Sequence, residues 1–185
     1  YNSIRRDKNN VEKVITMKFR SPTHGVCDNE EIVVDKIFDR ILTNKHSEWT
    51  IAIGSDSQNK KDITKFCTAI LLLEKGKGGI YFYSITSENR FHVVQNRMLR
   101  EAEMSIELGK KLIDRIEDKL LSDELIDEDI NIAFEIHCDL GRYGKSKDSI
   151  KAAIGWITSE FGGLVTPKIK PESTAASSIA DKYTK

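Results

Sequence analysis

The sequence has only three cysteines, and their placement limits the sites that they could form. Cys27, Cys67 and Cys138 lie far apart, and the chain contains no C-x-x-C pair. An odd number of widely spaced cysteines argues against a disulfide framework and against a cysteine-ligated zinc site. We therefore expect buried free thiols in a protein of the reducing cytoplasm.

The chain also lacks an excess of charge and a long apolar run. Lys and Arg number 29, Asp and Glu number 29, and the formal net charge is zero. No whole-molecule field draws such a chain toward nucleic acid or a membrane. Any binding to nucleic acid must therefore use a local patch or bound cations. No apolar segment approaches the length of a membrane span, so no association with a membrane is expected.

The composition that remains is that of a globular domain. The chain has 185 residues, of which 39% are hydrophobic and 31% are charged. This length is sufficient to bury a core without disulfides or a structural metal. We find no internal repeat and no low-complexity segment.

Residues 1–48 are predicted to form an extension that packs on the main domain. The sequence VITMKF predicts a short strand, and SPTHGVCDNEE predicts a loop. A helix is expected over 28–44, with Asp28 as its N-cap and Glu31 three residues later, a variant of the capping box. Apolar residues recur at every fourth position along this helix, as they do on a buried face.

Residues 49–185 are predicted to form the main domain. EWTIAIGSDSQ predicts a strand, and two β-rich runs around Lys-Gly-Lys-Gly-Gly predict a hairpin. A helical pattern over 91–121 is followed by a strand in INIAFEIHCD, a helix in KDSIKAAIGWITSEFGG, a strand in LVTPKIKP and a final helix that starts in SSIADKYTK. This order predicts an α/β fold with a mixed five-stranded sheet flanked by helices, in which two parallel strands follow a three-strand antiparallel meander.

Four carboxylate side chains lie at the ends of the predicted strands or on the predicted helices. Asp56 ends the first central strand, Asp139 ends the strand expected beside it, Glu101 lies on the long helix, and Asp181 lies on the last helix. A single aspartate at a strand end is commonly a turn former or a helix cap. Several converging acids repel each other, however, and divalent cations relieve that repulsion. Ligand sets made only of oxygen favour magnesium or manganese over zinc.

The long helix offers a second glutamate, Glu103, and the helical spacing separates the two candidates. Ser105 and Gly109 follow Glu101 by four and eight residues, so small side chains would let that helix face approach the sheet. Glu103 would point about 200° away on a regular helix. We therefore assign the site glutamate to Glu101.

The chain resembles the ribonuclease H-like superfamily in this order of acids. The similar segments are IGSDSQ, GGIYFY, REAEMS, IHCDLGRYG and KPESTAASSIADKYTK. More narrowly, the chain resembles the YkuK-type family of predicted ribonuclease H-like proteins over most of its length. The resemblance implies a nuclease that hydrolyses phosphodiester bonds of RNA, DNA or an RNA–DNA hybrid by a two-metal mechanism. The catalytic and metal-binding residues, which would hold two Mg²⁺ or Mn²⁺ ions, would be Asp56, Glu101, Asp139 and Asp181.

Five further residues are candidates for substrate binding: Ser57, Arg142, Lys145, Lys170 and Ser173. Arg142 and Lys145 offer charge to a nucleic-acid backbone or are solvated loop residues. Lys170 and Ser173 belong to KPES, which either lines the rim of the site or only forms a turn before a helix. Ser57 lies in no G-x-S-x-G elbow, so a turn or capping role is its alternative.

Two other functions stay open. The chain could be a non-catalytic ribonuclease H-like module that binds nucleic acid or a protein partner. It could also be a nucleotide-binding enzyme, because DLGRYGKS has the ending of a P-loop and lies between a strand and a helix. Asp139 replaces the first glycine of that motif, however, and would repel phosphate. His137, two residues earlier, is either a core histidine or a partner behind the metal site.

Overall fold

The computed structural model describes residues 17–122, 125, 130–139 and 147–185. Its elements in chain order are β1 Phe19–Ser21, β2 Gly25–Cys27, α1 Glu30–Leu42, β3 Trp49–Lys60, β4 Ile63–Glu74, β5 Gly78–Asn89, α2 Val94–Ser122, β6 Ile132–Cys138, α3 Lys147–Phe161, β7 Val165–Ile169 and α4 Asp181–Thr184. A π-helical turn, Ala175–Ala180, runs directly into α4. The turn and α4 together are called the C-terminal helix below.

The described strands form one mixed sheet in the order β2-β1-β5-β4-β3-β6-β7. β3, β4 and β5 are an antiparallel meander, and β6 and β7 run parallel to β3. The predicted fold class and its five central strands are therefore confirmed. β1 and β2 add two short strands beside β5, so the sheet has seven strands rather than five.

The N-terminal segment differs from its prediction in detail. β1 begins at Phe19, later than the predicted strand, whose first residues lie outside the described part of the chain. β2 lies within the predicted loop, since three residues are too few to show an alternating pattern. α1 begins at Glu30, and its N-cap is Asn29 rather than Asp28, because the Asn29 side chain accepts a hydrogen bond from the Ile32 amide at 2.9 Å.

Helices cover both faces of the sheet. α1, α2 and α3 pack on one face, where the main apolar core contains Phe38, Trp49, Ile53 and Leu112. The C-terminal helix packs on the other face through small and apolar residues such as Ala175 and Ala180. None of the helices in the described ranges has both the length and the apolar composition that a membrane crossing requires.

Gly109 brings α2 close to the centre of the sheet. A Cβ atom at this position would lie 3.3 Å from both Ile136 Cδ1 and Phe161 Cζ, and 3.6 Å from Ile53 Cδ1. The prediction that small residues let this helix face approach the sheet is confirmed. The close approach fixes α2 against β3 and β6, and so fixes the position of Glu101 two helical turns earlier.

Glu74, at the end of β4, ties the turn after α1 to the β4–β5 hairpin. Its side chain is 3% exposed. Its carboxylate accepts hydrogen bonds from Asn44 Nδ2 at 2.5 Å, Lys77 Nζ at 2.8 Å, Ser47 Oγ at 2.9 Å and Arg40 Nη2 at 3.3 Å. The hydrogen bond from Lys77 is the largest cause that lowers the pKa of Glu74 to about 2.

We predict that Glu74→Gln lowers the free energy of unfolding at neutral pH, because the amide cannot replace an ionised acceptor of four donors. The pKa of Glu74 is about 2 in the folded chain and 4.5 in the reference state. Its contribution is therefore complete above about pH 4.5 and is lost as the pH falls toward 2. Urea denaturation across this range should show the difference between the two proteins shrinking with falling pH.

Glu48→Gln is the matched control for this experiment. The Glu48 carboxylate is 57% exposed and pairs with Lys75, and exposed pairs contribute little to stability. An equal loss of stability in the two variants, or a difference from wild type that does not vary with pH, would contradict the role given to Glu74.

Candidate functional site

The pairing of β3 with β6 brings two of the predicted acids to neighbouring positions. These parallel strands pair up to Ser55 and Cys138, and the next residue on each chain is an aspartate, Asp56 and Asp139. Adjacent strands lie about 4.8 Å apart. The prediction that the two acid-bearing strands are neighbours is confirmed. Asp56 does not end its strand, however, since β3 continues to Lys60.

Asp56 faces the C-terminal helix. Thr184 Oγ1 donates a hydrogen bond to Asp56 Oδ2 at 2.7 Å. Ser55 and Ser57, on either side, point to the opposite face, where their hydroxyls bond to Ser105 and Glu101 of α2. This alternation is that of a regular strand.

The C-terminal helix brings Asp181 to the same end of the sheet. Burial raises the pKa of Asp56, and the negative charges of Asp139 and Asp181 raise it further. Lys170 Nζ lies 2.7 Å from Asp139 Oδ1, and Lys185 Nζ lies 2.6 Å from Asp181 Oδ2. Three acids thus interact, while a hydroxyl and two ammonium groups offset their repulsion. Below, the three are called the acid cluster: Asp56, Asp139 and Asp181.

Glu101 approaches the acid cluster from the other face of the sheet. It is buried on α2, and Ser57 Oγ donates a hydrogen bond to its carboxylate. Burial raises the pKa of Glu101 to about 8, with further contributions from the charges of Asp56 and Asp139. A small cavity beyond the end of β6 is lined by Glu101, Cys138 and Asp139. Glu103, by contrast, is paired with Arg100 at 2.7 Å.

The donor chemistry of these four residues fits Mg²⁺ or Mn²⁺, because every candidate ligand atom is a carboxylate oxygen. Within the described ranges, no three His, Cys, Asp or Glu side chains are already grouped as a metal site. Protein groups instead contact all four carboxylates: Thr184 and Ser57 donate hydrogen bonds, and Lys170 and Lys185 form ion pairs. Binding of a cation would require some of these contacts to be exchanged.

The predicted substrate-binding residues have different environments. Ser57 and Ser173 are buried, and Lys170 is half-exposed and paired with Asp139. Arg142 and Lys145 lie outside the described residues, as does most of the P-loop-like segment.

His137 connects β6 to the start of the C-terminal helix. The Ala175 amide donates to His137 Nδ1 at 3.0 Å, so the ring proton lies on Nε2, which is 2.8 Å from Glu135 Oε2. Burial lowers the pKa of His137 and favours the neutral ring that this pairing requires. His137 is therefore a buried histidine that positions the helix carrying Asp181.

Two aromatic contacts hold the other end of the C-terminal helix. The rings of Tyr183 and Tyr83 are stacked with centroids 3.6 Å apart and planes at 10°. The hydroxyls of Tyr183 and Tyr81 lie 2.9 Å apart and share a hydrogen bond. Tyr183 lies between Asp181 and Thr184, so these contacts position both residues near Asp56.

Comparison with known proteins identifies the family of this chain. A model of the family described as ribonuclease H-like matches residues 32–185. The chain belongs to the ribonuclease H-like family. Within that family it is of the YkuK type: the uncharacterized protein YkuK of Bacillus subtilis is 33% identical over 158 residues, which are 83% of this chain and 89% of that protein. The resemblance identified from the sequence motifs is confirmed.

A solved structure was also compared with this ribonuclease H-like chain. The crystal structure of NurA bound to dAMP and manganese aligns with 75% of this chain at 8% sequence identity and a TM-score of 0.25. The aligned part spans 41% of the NurA chain. This overlap is too low to inform on the site.

We predict that Tyr183→Ala loosens the C-terminal helix, whereas Tyr183→Phe retains most of its packing. The first change removes the stack on Tyr83 and the hydrogen bond to Tyr81. The second removes the hydrogen bond alone, at a cost of about 0.5–1.5 kcal/mol. Hydrogen exchange of the amides over 175–184 should accelerate strongly in Tyr183→Ala and weakly in Tyr183→Phe. Unchanged exchange in Tyr183→Ala would show that other contacts hold the helix.

Proposed function

We propose that this protein is a metal-dependent nuclease that hydrolyses phosphodiester bonds. The observation that carries the proposal is the position of Asp56 and Asp139, one residue beyond the last paired residues of two parallel strands. The negative charge of Asp181 also raises the pKa of Asp56. Membership of the ribonuclease H-like family supports the same reaction class.

The chain's own residues would bind and orient the reacting groups. Asp56, Asp139 and Asp181 would hold divalent cations from one face of the sheet, with Glu101 approaching from the other. Thr184 fixes the orientation of Asp56 through its hydrogen bond of 2.7 Å. When bound, Mg²⁺ or Mn²⁺ ions supply Lewis acidity at the phosphoryl group and favour ionisation of the attacking water.

We predict that Asp139→Asn lowers nuclease activity by at least about 100-fold, which corresponds to about 2.7 kcal/mol of transition-state stabilisation. The amide removes one anionic ligand from the acid cluster. Cleavage of labelled DNA, RNA and RNA–DNA hybrid should be measured with Mn²⁺ and with Mg²⁺, and EDTA should abolish it.

Asp114→Asn is the matched control, because Asp114 is exposed on α2 and belongs to no part of the site. It should cleave as the wild type does. Cleavage that survives both Asp139→Asn and EDTA would overturn the proposed metal-dependent reaction. Absence of cleavage of every substrate by the wild-type protein would favour a binding module instead.

We predict that Lys170→Met increases the affinity for Mn²⁺ by about tenfold, or about 1.4 kcal/mol. The Lys170 ammonium lies 2.7 Å from Asp139, and the charges of Asp139, Asp56 and Asp181 all raise the pKa of Lys170. A divalent ion must compete with this internal cation. Isothermal titration calorimetry and the rise in melting temperature with Mn²⁺ would measure the difference.

Lys168→Met is the control for Lys170→Met, since Lys168 lies two residues earlier and pairs with Glu172 at 3.2 Å rather than with the acid cluster. Its affinity for Mn²⁺ should equal that of the wild type. An affinity that is unchanged or weaker in Lys170→Met would contradict competition between Lys170 and the metal.

A further inference from the structure

Four cationic side chains gather where β3 turns into β4 and β5 ends. Lys60 and Lys61 form the tip of the β3–β4 hairpin, and Lys65 lies on β4 opposite Gln58. Arg90 directly follows β5, and its guanidinium donates to the Lys61 carbonyl. We call this set the basic strip: Lys60, Lys61, Lys65 and Arg90.

The basic strip lacks acidic partners within the part of the chain that the structure describes. Several lysines elsewhere on the surface are paired with acids, among them Lys75 with Glu48 at 2.6 Å and Lys18 with Asp28 at 3.0 Å. Asp62 is the one acid at the hairpin tip, between Lys61 and Ile63. Four positive charges against one negative charge form a local positive patch on a chain whose net charge is zero.

Lys60 and Lys65 of the basic strip share a sheet face with Asp56. Lys60 follows Asp56 by four residues on β3, an even spacing that puts both on one face about 13 Å apart. Lys65 lies opposite Gln58. Gln58 follows Asp56 by two residues, a separation of about 7 Å along the strand. Both Asp56 and Lys65 act electrostatically on Cys67, which lies opposite Asp56.

The sheet face beside Lys65 is partly exposed. Ile85 is 41% exposed, and Ser87, opposite Lys65 on β5, is also exposed. The C-terminal helix covers Ala69 and Cys67, and Cys67 lies opposite Asp56. A strand of polyanion could therefore lie along the exposed part of this face, from the hairpin tip to Lys65, and reach the acids at the edge of the C-terminal helix.

We propose that the basic strip binds the phosphodiester backbone of a nucleic acid and leads it to the acid cluster. This inference rests on the proposed nuclease function and adds the surface that holds the substrate. The charges complement phosphate groups, which supply most of the sequence-independent affinity of nucleic-acid binding. The strip is also the local patch that a chain of zero net charge requires for such binding.

The test compares two triple variants that change the net charge equally. Lys60→Gln, Lys61→Gln and Lys65→Gln together remove three charges from the basic strip. Lys18→Gln, Lys36→Gln and Lys75→Gln together remove three lysines that pair with acids elsewhere. Thermal melting would establish that both variants fold, and the double variant of Lys60 and Lys61 gives a second readout on exposed residues alone.

Binding would be measured by fluorescence anisotropy with labelled single-stranded DNA, single-stranded RNA and duplex, in Ca²⁺ without Mg²⁺ or Mn²⁺, over a range of salt. The triple variant of the basic strip should bind single strands at least about tenfold more weakly at low salt. The slope of log affinity against log salt should become shallower by about 2, because each lost contact with a single strand contributes about 0.7. The control triple variant should retain the wild-type slope.

Each of three other outcomes would contradict a different part of the proposal. Equal losses in the two triple variants, or an unchanged slope in the strip variant, would overturn the basic strip alone. Tighter binding of an oligoglutamate peptide or of phosphatidylserine vesicles than of any oligonucleotide would overturn its assignment to nucleic acid. Binding through the strip without cleavage by the wild-type protein would overturn the nuclease function and leave the strip as a binding surface.

Discussion

The candidate site depends on the register of one pair of parallel strands. β3 and β6 pair through Ser55 and Cys138, so the two aspartates that follow them, Asp56 and Asp139, are neighbours. A slip of one residue would turn Asp139 to the opposite face of the sheet. The apolar side chains of both strands prevent such a slip, because they must stay against α2 in the buried core. The core thereby determines where the acids lie.

Three acids at one end of a sheet repel each other, and the fold offsets this repulsion with its own donors. Lys170 and Lys185 pair with Asp139 and Asp181, and Thr184 donates to Asp56. Most of these donors come from the last part of the chain, as does Asp181 itself. The C-terminal helix is therefore both a source of negative charge and the means of stabilising it. Exchange of the two lysines for one divalent ion would preserve the balance of charge.

Local patterns in the sequence were sufficient to predict the central strands of the sheet and the acids that lie near each other in the fold. Alternating apolar residues predicted the central strands, and the small residues Ser105 and Gly109 distinguished Glu101 from Glu103. The strand parity of Ser55, Asp56 and Ser57 puts Ser57, the partner of Glu101, on the sheet face opposite to Asp56. The contact between Thr184 and Asp56 joins residues 128 positions apart, which no local pattern reports. Three-residue strands such as β2 are equally invisible to periodicity.

The two ends of β4 show how a neutral chain acquires a polarised surface. At the β4–β5 turn, Lys75 pairs with Glu48, which directly precedes β3, and Lys77 pairs with Glu74 across the turn. At the β3–β4 turn, the side chains of the basic strip have no acidic partner within the described residues. Pairing at one end leaves an excess of positive charge at the other without changing the net charge of the chain. That excess lies at the same end of the sheet as Asp56 and Asp139, which is the placement that the proposed binding of a phosphate backbone requires.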